Sequence, residues 1–90
     1  MQQFTLTQDE HYPVNSDIIH SLELYLNHKR PVGGFLNAVL ENNLTEAFAR
    51  ADSSNSANMK NIVGYVYNNL PYHAWGTKER VAAWMKGDAE

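Results

Sequence analysis

Three prolines, Pro13, Pro31 and Pro71, divide this chain more firmly than any other feature. Proline lacks the backbone donor that a helix interior needs, and it pushes the residue before it out of helical geometry. Helices can run between these points but not through them. The intervals between the prolines, and the stretch after Pro71, carry apolar residues at helical period.

Asn15 or Ser16 caps the first helix, with Asp17 in its first turn. Ile18, Leu22, Tyr25 and Leu26 form its apolar stripe, Ile19 lies beside them, and Glu23 and Asn27 fall on the polar reverse face. The helix should end near Lys29, because Arg30 precedes Pro31. A second helix starts at Gly33 or Gly34 and carries Phe35, Leu36, Val39 and Leu40, with Ala38 allowing close approach. The Glu41-Asn42-Asn43 stretch interrupts that stripe. Asn43 and Glu46 match a capping box, which predicts a break and a short third helix carrying Leu44, Ala47, Phe48 and Ala51. One kinked helix over 35–51 is the rival reading.

Residues 52–58 read as a polar connection. Met59, Ile62, Val63, Val66, Tyr67 and Leu70 mark a fourth helix that Pro71 stops. Gly64 inside it costs ~1 kcal/mol relative to alanine and could let another helix come close. PYHAWG reads as a turn. Thr77 caps a last helix carrying Val81, Trp84 and Met85 through about Lys86, and Gly87 ends it. Ahead of all this, Phe4 and Leu6 are expected to fold back as apolar plugs. The expected fold class is all-α: a compact single-domain bundle of four or five short helices. An irregular segment covers 1–14, the helical domain 15–87 and a tail 88–90.

Composition narrows the function. Ninety residues make one domain with a thin stability margin, and 43% apolar with 19% charged residues excludes a disordered chain. A net charge of −3 gives no electrostatic footprint for nucleic acid, which is disfavoured as a partner. Without cysteine there is no disulfide framework, thiolate metal site or cysteine nucleophile. No apolar run approaches the roughly 20 residues of a membrane span, and MQQFTLTQDEHY does not read as a signal peptide. The expected setting is the cytoplasm.

Two stretches could hold a ligand. In HKRPVGG, Lys29 and Arg30 precede Gly33 and Gly34, and open amides at a glycine-started helix with cations nearby suit an anion. A helix corner explains the same residues and ranks first. Neither a phosphate loop nor a dinucleotide fingerprint is present. In YHAWGTKERV, aromatic rings precede Thr77, Lys78 and Arg80, a composition that could stack a base and hold a phosphate. The plainer reading makes Tyr72 and Trp75 plugs of the core. Tyr12, Tyr72 and Trp75 are candidate interface anchors.

Catalytic and metal signals are weak. Asp52, Ser54, Ser56 and Asn58 alternate like a calcium loop, but Ala57 occupies the glycine position and Val63 the place of the bidentate glutamate. His11, His20, His28 and His73 show no paired ligand spacing. His73 near Thr77 lacks an orienting acid, and Glu41 and Glu46 would sit on different helix faces. No enzyme, cofactor or metal is expected.

The segments GGFLNAVLENNLTEAFARAD (33–52) and IVGYVYNNLPYHAWGTKERVAAW (62–84) resemble a group of small proteins encoded by tailed bacteriophages and prophages. The shared points are Gly33, Gly34, Phe35, Asn43, Ala47, Phe48, Arg50, Asp52, Tyr67, Asn68, Pro71, Trp75 and Gly76. The resemblance implies a setting, the cytoplasm of an infected bacterium, and carries no catalytic or binding residue with it. Asn43 reads as a cap, Arg50 and Asp52 as groups pairing with a neighbouring segment, and Asn68 as a partner for carbonyls near its helix end.

The leading expectation is a binding protein whose partner is a host protein, an inhibitor of a host enzyme or antiviral complex. The alternatives are a binder of a nucleotide or other phosphorylated ligand, and a small structural homo-oligomer.

Overall fold

A computed structural model describes residues 3–87; the expected tail at 88–90 lies outside the described residues. Among those described there are six α-helices, one 3-10 turn and no strand. The all-α expectation holds, with more helices than expected.

Helix α1 spans Ser16–His28. Asn15 caps it, its side chain accepting from the Asp17 amide at 2.9 Å, and Lys29 ends it in the left-handed region at φ 55°. Helix α2 (Gly34–Leu40) and helix α3 (Leu44–Arg50) are separate. Asn42 turns the chain at φ 61°, and the Asn43 side chain accepts from the Glu46 amide at 3.2 Å. The cap prevails over the rival kinked helix.

Residues 52–58 depart from expectation. They form helix α4, Ser53–Ala57, whose cap is Asp52 accepting from the Asn55 amide at 2.7 Å. Asp52 is thus a cap rather than a pairing group. This single turn buries no residue, so the cap and its own backbone bonds sustain it. Helix α5 covers Met59–Asn69, the 3-10 turn Tyr72–Ala74, and helix α6 Lys78–Lys86. Thr77 caps α6 by accepting from the Arg80 amide at 3.0 Å, and Gly87 ends it at φ 80°.

The core gathers Leu22, Tyr25 and Leu26 from α1 with Leu36, Val39 and Leu40 from α2. Ala47, Ile62, Tyr65, Val66, Val81 and Trp84 complete its centre. Its three large polar-tipped rings, Tyr25, Tyr65 and Trp84, are all paired. The Tyr25 hydroxyl donates to the Ala74 carbonyl at 2.6 Å, and the Trp84 indole donates to the Tyr25 carbonyl at 3.1 Å. Burial, followed by the charge of Glu41, pushes the Tyr25 hydroxyl well above the ordinary tyrosine range.

Phe4 and Leu6 do fold back against the core, but hydrophobicity alone does not place them. Asn27 accepts from the Phe4 amide at 2.7 Å and donates to its carbonyl at 2.8 Å, and Glu23 accepts from the Leu6 amide at 2.7 Å. The supposed solvent face of α1 therefore holds the strap. Farther along it, the Tyr65 hydroxyl donates to the Thr7 carbonyl at 2.7 Å, and the Asn69 amide donates to Asp9 at 3.0 Å. The Asn69 bond and the His11 amide hold the Asp9 carboxyl below its usual range.

Gly64 also differs from expectation. Its nearest neighbours are atoms of the Tyr12 side chain, not of another helix. The Tyr12 ring lies against its α-carbon so closely that an added Cβ would overlap the ring. Tyr12 is thereby seated over α5, at the edge of the feature described next.

Candidate functional site

A groove of about 670 Å³ runs over α3 and α5 and is open to solvent. Leu44 and Phe48 supply one wall from α3, and Met59, Val63 and Tyr67 supply another from α5. Tyr12 and Trp75 close it, while Asn42, Asn68 and Lys60 provide its polar groups.

This wall arises from the helical period in a helix too short to bury both its edges. Leu44, Ala47 and Phe48 share one side of α3, and the expected stripe placed all three in the core. Ala47 is fully buried, but Leu44 is 41% and Phe48 51% exposed. On α5 the expected stripe included Tyr67 and omitted Tyr65. The reverse is found, with Tyr65 fully buried and Tyr67 70% exposed. Tyr67 meets Trp75 edge to face, with ring centroids 5.8 Å apart. The Trp75 indole nitrogen is buried and finds no acceptor among the described residues. An unmet buried donor costs about 1–3 kcal/mol.

Some of the residues proposed for an anion site are drawn into other contacts and some are left exposed. The Lys29 ammonium sits 3.7 Å from the centroid of the Trp84 ring, a cation–π contact that closes the far end of the core. Arg30 and Gly33 are exposed, and Gly33 caps α2 without a side chain. The cation beside Gly34 is Arg50, whose guanidinium would be 3.1 Å from a Cβ there. Arg50 also pairs with Glu46 one turn earlier, so its side chain links α3 to the start of α2, a neighbouring segment as expected, while its ion pair stays within α3. HKRPVGG forms the connection between α1 and α2.

Around the second stretch, the Arg80 guanidinium donates to the Trp75 carbonyl at 3.4 Å and lies 5.5 Å from the Tyr72 ring centroid. Tyr72 is 63% exposed and stacks on His73 at 4.1 Å. Thr77 uses its hydroxyl as a cap, and Lys78 is exposed. Of the three expected anchors, Tyr12 and Trp75 meet in the groove and Tyr72 lies outside its lining. Asn68 donates to the Gly64 carbonyl at 2.8 Å, one turn back along α5 rather than to the helix-end carbonyls. The residues missed by sequence reasoning are Leu44, Phe48 and Tyr67. Their signal was present as an apolar stripe, but a stripe does not reveal what covers it.

No group of three or more His, Asp or Glu side chains comes together among the described residues, and no helix there is long and apolar enough to cross a membrane. Comparison with protein-family models, curated proteins and solved structures finds no match.

Proposed function

We propose that this chain is a small accessory factor of phage or prophage type that acts by binding a host protein, without catalysis. The observation that carries the reading is the open groove with Leu44, Phe48 and Tyr67 41% to 70% exposed along it. The aromatic side chains that line it, Tyr12, Tyr67 and Trp75 among them, are of the kind typical of binding hot spots. Covering the exposed parts of these side chains is worth on the order of 1 kcal/mol each. The resemblance of segments 33–52 and 62–84 to phage proteins supplies the setting, a bacterial cytoplasm. Inhibition of a host enzyme or antiviral complex is the consequence proposed for that contact.

The test is a quantitative capture from bacterial lysate with the full chain and its Phe48→Asp variant, both checked to be folded at the assay temperature. One host protein retained by the parent and lost by the variant supports the reading. Equal retention by both places the contact elsewhere and refutes the groove.

A further inference from the structure

Resting on the groove reading above, we propose that the occupant is a short amphipathic helix of another protein, presenting apolar side chains at helical spacing and a carboxylate opposite Lys60. Lys60 is the one charged residue in the lining, and it pairs with no carboxylate among the described residues. A chain of net charge −3 thus offers its apolar groove together with an unpaired cation. An occupant that is apolar and acidic complements both features.

A second copy fits less well. A two-fold interface uses the same patch on both subunits. It would bring two Lys60 ammonium groups into one contact with no acid in the lining to meet them. A small metabolite also fits less well, since such ligands are buried over some 70–90% of their surface. This trough stands open beside a Tyr67 that is 70% exposed. A polypeptide covers the open side itself.

Helical form follows from what the groove lacks. Strand addition needs a free sheet edge, and the described residues contain no strand. A trough between helices instead takes anchors at i, i+3 or i+4, and i+7.

The experiment selects peptides of about 11 residues, three helical turns, from a displayed random library. The full chain is the target and its Phe48→Asp variant the counter-selection. The enriched peptide is then titrated against the parent and Lys60→Glu by fluorescence anisotropy, with a second peptide in which its acid is replaced by lysine. The expected result is a set of sequences with apolar residues at helical spacing and an Asp or Glu. Either charge reversal alone should weaken binding about tenfold, and the two together should restore it. Enriched peptides without an acid, or affinities indifferent to the Lys60 exchange, overturn the helix-and-acid assignment while leaving the groove as a binding surface. Concentration-dependent dimers that Phe48→Asp abolishes also overturn it and assign the groove to a second copy. Host-protein capture unaffected by Phe48→Asp is the separate result that removes the groove reading itself.

Discussion

Trp84 and Trp75 have the same side chain and opposite surroundings. At the closed end, Trp84 is buried, donates to the Tyr25 carbonyl, meets Phe4 edge to face at 5.9 Å and carries the Lys29 ammonium on its ring. At the open end, Trp75 is half-buried, its indole donor unmatched and its neighbours Phe48 and Tyr67 in water. A small domain can satisfy one aromatic cluster completely. The second cluster, unfinished by the chain itself, is where another molecule gains by completing it.

The largest expected effect separates the two ends directly. Trp84→Ala should cost ~3–5 kcal/mol in urea unfolding, as removal of a buried aromatic does. Trp75→Ala should cost about half of that or less, because the ring is only partly enclosed. Equal losses would erase the distinction.

Next comes the Tyr12–Gly64 seat at the groove edge. Gly64→Ala should destabilise by about 1–3 kcal/mol, the cost of forcing an overpacked side chain aside. Adding Tyr12→Ala should make that second change nearly free, a non-additivity that a double-mutant cycle measures. Additive losses would mean the ring moves away without penalty.

Hydrogen bonding gives a smaller contrast. Tyr25→Phe strands the Ala74 carbonyl in the core and should cost about 1–3 kcal/mol. Trp75→Phe removes a buried donor that has no acceptor, so apart from the packing difference it should stabilise the fold by about 1–3 kcal/mol, the opposite sign to Tyr25→Phe. Tyr25 also sets an alkaline limit. Its folded-state pKa is raised, so its contribution is complete below the ordinary tyrosine value of about 10 and falls as pH rises beyond it. Unfolding measured across that range should show a shallower alkaline decline in Tyr25→Phe.

The smallest effect is on stability at the groove itself. Phe48→Asp should cost about 1 kcal/mol in denaturant titrations, the worth of the half of the ring that is covered, since the other half is already in water. A large loss there would move Phe48 from the binding surface to the core.

Local chemistry accounts for what could be read from the sequence. Asn15, Asn43, Thr77 and Gly87 each act within a few residues, and each cap lies where its neighbours predict it. Helix α4 escaped notice because SSNSA has no apolar period and buries nothing. The strap escaped because Glu23 and Asn27 look like solvent-facing residues until a segment 17 to 23 positions away supplies the amides they bind. Tyr12 and Trp75 were legible as candidate anchors from side-chain type. Leu44, Phe48 and Tyr67 were not, since periodicity identifies an apolar face without saying whether the chain has enough mass to cover it.

The most direct test follows the two indole N–H signals by nitrogen-15 NMR while the full chain is titrated with its captured partner or a selected peptide. The Trp75 signal should shift or broaden together with the amides of α3 and α5, while Trp84 stays in place. Movement of Trp84 and residues 29–34 with Trp75 unchanged would contradict the groove as the functional surface.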